Sequence, residues 1–310
     1  MNIKKLSKYL SDPDYRFLIN AGFGIYNGMS DEEYLKRKFR SNMGRELDLE
    51  NPQTFNEKLQ WLKLYDRKPE YTVMVDKYMV RNYIKEKLGE EYLIPLIGVW
   101  DDPDEIDFDL LPNQFVLKCN HNSGLGMYIC RDKSKLSPRD IKIIRRNLAR
   151  GLAQDYYLTG REWPYKNVPR KIICERYMTD FPGSSDFTDY KFFCFNGYAD
   201  CVMVCLERSS GDTKYYFFDR DWNLKRLNIR GKNAPEGFTI PKPERMQDMF
   251  DIAETLSEGL PFARIDLYLS GDRIFFGEIT FFPDSGFDAN LLPETDAYFG
   301  KLIHLEDINR

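Results

Sequence analysis

The run PFARIDLYLSGDRIFFGEITFFPDSG, residues 261–286, decides how this chain folds. Two β-rich segments flank Ser270-Gly271-Asp272-Arg273, a turn signal, so the run reads as a hairpin. Side chains alternate along a strand, which puts Arg264, Asp266 and Tyr268 on one face and Ala263, Ile265, Leu267 and Leu269 on the other. On the second segment Glu278 and Thr280 share a face, opposite to Phe275, Ile279 and Phe281. Matching the apolar faces sets Ile265 opposite Ile279. Asp266 then lies opposite Glu278, since the two are equidistant from Asp272. Directly opposed carboxylates repel and destabilise a sheet unless water or a cation lies between them. Mg²⁺ prefers carboxylate oxygens together with phosphate. The run is therefore expected to form a two-strand Mg²⁺ platform with Arg264 beside it.

The rest of the chain is compatible with a phosphate-handling enzyme. Its 310 residues suggest about two domains. A chain of this length buries roughly 75% of its unfolded surface and needs no staples. The formal net charge of −4 argues against a nucleic-acid partner, which requires a basic field. Six cysteines are scattered without a CxxC pair, and only two histidines accompany them. This argues against a zinc or disulfide framework and favours a reducing cytoplasm. No run reaches the 18 or so apolar residues of a membrane span, and no signal peptide is read. The start, MNIKKLSKYL, reads as a short amphipathic helix that docks on the body or peripherally on a membrane surface.

Thr54 and Glu57 fit a capping box for a helix with Phe55, Leu59 and Leu62 on one side. A second helix is expected over about residues 71–88, with Asp76, Lys77 and Arg81 on an exposed, salt-bridged face. Strands are expected near 115–118, 127–130, 171–174, 190–195, 199–206 and 215–219, with turns at 196–197 and 209–212. Helices are expected near 139–152, 244–258 and 295–305. No internal repeat or low-complexity segment interrupts this pattern.

A second informative feature is the loop Asn120-His121-Asn122-Ser123-Gly124-Leu125-Gly126, which follows Lys118. Inward-turned backbone N–H groups can wrap phosphate, and Lys118 can add an ammonium. The loop joins two strands, whereas a Walker A loop joins a strand to a helix, and its string is absent. The same residues also make ordinary hairpin turns. Protein-kinase strings are missing too. D-x-D strings at Asp12/Asp14, Asp102/Asp104, Asp107/Asp109 and Asp219/Asp221 keep open a glycosyltransferase, although most read as solvated turns.

The strings NPQTFNEKLQWLKLYDR, VDKYMVRNYI, FVLKCNHNSG, ICERYM, DYKFFCFNG and RIDLY…GEITFFPDSG occur in one order. In that order, from residue 51 to the C-terminus, the chain resembles the TupA-like branch of the ATP-grasp superfamily, associated with teichuronopeptide and capsule synthesis. The resemblance implies an α+β fold in which two subdomains clamp ATP between antiparallel sheets. It divides the chain into a mainly helical region 1–94, a subdomain 95–178 with the phosphate-covering hairpin, and a subdomain 179–310 with the Mg²⁺ hairpin. It implies a ligase that activates a carboxylate as an acylphosphate and forms an amide bond. The expected partners are a uronic-acid carboxylate of a cell-surface polysaccharide or its precursor, and an amino acid or other amine. The alternatives are a glycosyltransferase of polysaccharide synthesis and a non-catalytic nucleotide-binding subunit.

Carried onto this sequence, the resemblance gives Lys77 and Lys118 to the ATP phosphates. Asn120, Asn122, Ser123 and Gly124 belong to the loop that covers them. Glu175, Tyr177 and Met178 form the adenine hinge. Asp189 is a candidate ribose contact, after an insertion over 182–188. Asp266, Glu278 and Thr280 would bind Mg²⁺, with Thr280 standing where the superfamily commonly has Asn. Arg264 would hold the γ-phosphate or acylphosphate. Arg161, Trp163 and Tyr165 are candidates for the acceptor pocket, and Trp163 and Tyr165 equally for packing. Asp284, Ser285 and Glu294 are candidate bases by position.

Overall fold

The computed structural model describes residues 3–179, 188–207, 213–306 and 308. The expected insertion over 182–188 and the turn at 209–212 lie essentially outside the described residues.

The N-terminal third is helical: α1 (Ile3–Ser11), α2 (Pro13–Gly22), α3 (Asp31–Met43), α4 (Phe55–Tyr65), α5 (Pro69–Val75) and α6 (Val80–Lys87). The capping box that starts α4 is present, with Thr54 and Glu57 exchanging bonds as expected. The single helix expected over 71–88 is instead two. Asp76 breaks it, because its Oδ1 accepts the N–H groups of Tyr78 and Met79 and so competes with the helical ladder. The face expected to be exposed is buried there: Asp76 is 1% accessible.

Two antiparallel sheets follow. The smaller contains β1 (Leu96–Trp100), β2 (Phe115–Cys119), β3 (Tyr128–Cys130) and β4 (Ile172–Arg176), in the order β1-β4-β2-β3. Phe115, Leu117, Ile172 and Cys174 point to one face, where α7 (Pro138–Ala153) covers them with Ile144 and Leu148. After α7 comes α8 (Tyr157–Gly160).

The larger sheet contains β5 (Asp189–Phe195), β6 (Tyr198–Leu206), β7 (Lys214–Phe218), β8 (Leu224–Lys225), β9 (Phe262–Ser270) and β10 (Arg273–Thr280), in the order β10-β9-β5-β6-β7-β8. Three helices accompany it: α9 (Ile229–Lys232), α10 (Met246–Ser257) and α11 (Pro293–Leu302). Phe250 of α10 meets Phe192 edge-on at 4.9 Å. Phe55 of α4 packs against Phe195, Phe262 and Phe299, joining the N-terminal helices to this sheet in one core. The smaller sheet has its own core. All six cysteines are buried and none forms a disulfide. Among the described residues, no helix is long and apolar enough to cross a membrane.

Candidate active site

The β9–β10 hairpin forms the floor. Its turn is tighter than the symmetric reading assumes: Ser270 pairs with Arg273 across only Gly271 and Asp272. Continued unbroken, that register would set Glu278 against Ile265 and send its side chain to the opposite face. A bulge at Gly277 takes up the extra residue. Beyond it Glu278 pairs with Asp266, Ile279 with Ile265 and Thr280 with Arg264. The bulge has no room for a side chain, since a Cβ on Gly277 would lie 2.9 Å from the Asp266 carbonyl oxygen. The expected face is thus assembled, by a device the alternation did not reveal.

Arg264 ties this face together. Its Nε and Nη2 donate to the two Asp266 oxygens at 2.7 and 2.9 Å. Nη2 also reaches Glu278 Oε1 and Thr280 Oγ1, each at 3.2 Å. A second cation comes from the neighbouring strand. Lys191 of β5 lies opposite Asp266, and its ammonium bonds Asp266 Oδ2. So the cations that the opposed carboxylates require are supplied in part by the protein itself. Burial pushes the Asp266 carboxyl up, against the pull of Arg264 and Lys191. For Glu278 burial acts the same way but is outweighed: Lys77, Arg264, Lys191 and Lys118 bring it down to about 2. Burial lowers the Arg264 and Lys191 affinities for protons, while Asp266 more than restores both.

Above the floor sit the remaining cations. Lys77 lies in the break between α5 and α6, where its Nζ donates to the Asn122 carbonyl at 2.9 Å and stands 3.8 Å from Glu278. Burial lowers the Lys77 pKa, and Glu278 opposes that. Lys118, at the end of β2, pairs with Glu175 at 2.6 Å, and Arg81 approaches the same carboxylate at 3.5 Å. Glu175 lies within β4, where the sequence reading ended the strand one residue earlier.

A family model for TupA-like ATP-grasp proteins matches residues 57–304. The chain belongs to the TupA-like ATP-grasp family. No curated protein matches it. Solved structures that match the chain include D-alanine–D-alanine ligase from Bacillus anthracis, at 15% identity and a TM-score of 0.44, covering 76% of this chain and 66% of that one. The same ligase complexed with ATP matches at 14% identity and a TM-score of 0.44, over 76% and 63%. The ATP-grasp ligase PsnB complexed with minimal precursor, Mg and ADP matches at 11% identity and a TM-score of 0.39, over 84% and 65%. The chain thus spans just under two thirds of the length of these proteins.

The residues expected at the nucleotide have these partners within the protein. The Asn120 side chain is fully buried, donating to Asp76 and the Pro169 carbonyl and accepting from Lys171 N–H. Asn122 donates to the Gly151 carbonyl and Gln154. Both amides anchor the loop; Ser123 and Gly124 form its exposed tip. Asp189, expected at a ribose, is buried, with Oδ2 3.6 Å from Lys191. Tyr177 and Met178 are half-buried just past β4, and the Tyr177 hydroxyl accepts from Arg131.

The acceptor reading of Arg161 is overturned. Its guanidinium is 2% exposed and donates to the carbonyls of Tyr26, Asn27 and Met29, under the ring of Tyr34. Tyr165 packs edge-on against Tyr156, and Trp163 is half-buried. The D-x-D strings also have structural work: Asp12, Asp102 and Asp107 cap the N–H two residues on, and Asp219 accepts from Asn223 N–H. Ser285 Oγ is bound to Glu162, and Glu294 is exposed in the first turn of α11.

Proposed function

We propose that this protein is an ATP-dependent carboxylate–amine ligase. The observation that carries the reading is the gathering of Asp266, Glu278, Thr280, Arg264 and Lys191 on one face of the β9–β10–β5 sheet, below Lys77 and Lys118. A carboxylate oxygen of the acceptor attacks the γ-phosphorus of ATP and expels ADP. An amine then displaces phosphate from the resulting acylphosphate. No side-chain nucleophile is needed, and preorganised positive charge is the main catalytic device.

Each residue has a part in that scheme. Lys77 and Lys118 bind phosphate oxygens, under the tip formed by Ser123 and Gly124. Glu175, Tyr177 and Met178 flank adenine at the end of β4. Arg264 holds the transferred phosphoryl group or the acylphosphate, for which its planar fork is suited. Lys191 holds Asp266 in place and adds charge. Asp266, Glu278 and Thr280 present hard oxygens on one face, a donor set that fits Mg²⁺. Both Asp266 oxygens are already shared with Arg264 and Lys191, so the half-exposed Glu278 is the more open donor. When bound, the ion supplies neutralisation of the phosphate charge.

The substrate pair is a uronic-acid carboxylate of a cell-surface polysaccharide or precursor and an amino acid, a reading supported by the family. We place the protein in the cytoplasm, and divide it at 94/95 and 178/179. The test is ADP release by the full chain with ATP, Mg²⁺, glucuronic or galacturonic acid, and a mixture of the standard amino acids. Release is expected to depend on both acid and amine. Asp266→Ala and Glu278→Ala should each lower it at least a hundredfold with the circular dichroism spectrum unchanged. Consumption of a nucleotide-sugar with ATP left intact would overturn the reading.

A further inference from the structure

A cavity of about 770 Å³ opens beside Arg264 and Lys191. This is within the range of about 300–1,000 Å³ common for small-molecule sites. Its floor continues the catalytic face, because Asp266, Lys191, Met203 and Phe217 form one cross-strand row. Arg230, Asp284 and Asp288 also line it. Neither aspartate is among the residues assigned above to the nucleotide.

The turn that carries them is strained and braced. Asp284 and Ser285 are successive non-glycine residues in the left-handed region, at φ 48° and 53°. Such strain persists only where surroundings enforce it, and it gathers at functional sites. Here the enforcement comes from one ridge of α4. Asn56, Gln60 and Lys63, spaced i, i+4, i+7, are all fully buried. Gln60 donates to the carbonyls of Gly286 at 2.6 Å and Ser285 at 3.2 Å. Lys63 donates to Ser285 at 2.6 Å and to Gly160 at 2.8 Å. Asn56 Oδ1 accepts the Asp288 N–H at 2.9 Å. Three buried polar side chains thus hold an acidic turn against a cavity that begins at the reacting end of the site.

We propose that this cavity receives the amine substrate, an α-amino acid, with Asp284 and Asp288 binding its ammonium and Asp288 taking a proton from it. The proposal rests on the ligase reading. Two neighbouring carboxylates favour a cation between them, and Arg230 in the same lining favours a ligand that also carries a carboxylate. Burial and Asp284 raise Asp288 toward neutrality, which suits a base acting near pH 7. The ammonium loses one proton to the Asp288 carboxylate. The nitrogen lone pair forms the C–N bond as the carbonyl C–O bond to phosphate breaks. The second proton leaves with that phosphate as HPO₄²⁻, and Asp288 returns its proton to water.

The test uses Asp284→Asn and Asp288→Asn. Asn tolerates the left-handed conformation at 284, and at 288 it preserves the acceptor for the Asn290 N–H. Saturation-transfer NMR on the full chain with a mixture of the standard amino acids reads binding without turnover. At least one amino acid should bind, and each variant should weaken it tenfold or more. ADP release with hydroxylamine as nucleophile reads acylphosphate formation separately. The ratio of amino-acid-dependent to hydroxylamine-dependent release should fall at least tenfold in both variants. Variant binding within twofold of the wild type, or no amino acid bound at all, overturns the site even if ADP is released. Amino-acid binding that needs Asp284 and Asp288, in a protein that never releases ADP, supports the site and overturns the ligase reading instead.

Discussion

Burial and the adjacent Asp284 push the Asp288 carboxyl up to about 6. Between about pH 4 and pH 6 the folded protein keeps a proton that the unfolded chain has released. Stability therefore falls as pH rises through that window, and the loss persists in full above it. Asp288→Asn removes the loss. At pH 7.5 the variant should be the more stable by on the order of 1 kcal/mol after solvent screening, and at pH 4 it should show no gain. Chemical denaturation at the two pH values measures this. Lys191 shows why some residues of the site could not be read in advance. Its spacing with Asp189 on one strand is visible in DYKFF, but its partner Asp266 is 75 residues away. Only the order β9-β5 brings them together. For Asn120 and Asn122 the residue type fits a ligand and an anchor equally well, and only the fold shows the partners their amides take.

Two elements carry the site, and the sequence describes each by half. Alternation in the hairpin finds the face shared by Arg264, Asp266, Glu278 and Thr280, because matching apolar sides is a strong constraint on register. It does not find the bulge, since a glycine within a strand has several uses. Gly277→Val should crowd the Asp266 carbonyl and the Tyr268 ring. The expected cost is about 2 kcal/mol of stability, with ADP release lost as Glu278 shifts. A denaturant melt and the ADP assay check the two effects. Helix α4 is similar. Phe55, Leu59 and Leu62 mark its apolar side, and Asn56, Gln60 and Lys63 look like the solvent side. Both sides are buried, so amphipathic spacing finds the helix and does not reveal the work of its polar ridge.

Across the whole molecule, the two sheets have separate cores and both contribute residues to the site. The ordered strings show that both halves exist, but not how the smaller sheet stands over the larger. Lys77 is the link: from the α5–α6 break it touches the loop of one sheet and the Glu278 of the other. ATP phosphates would compete for its ammonium and draw the loop inward. Adding ATP and Mg²⁺ should slow amide hydrogen exchange over residues 120–127 at least fivefold, and Lys77→Ala should remove most of that protection. Arg161 has a consequence of a more practical kind. The family match begins at residue 57, yet this guanidinium is sealed inside the protein with carbonyls from residues 26–29 as its acceptors. Trimming the gene to the matched stretch strips those acceptors and leaves a buried charge with too few partners. Such a fragment should pellet on expression while the full chain stays in the supernatant, so the helical leader belongs in any crystallisation or screening work.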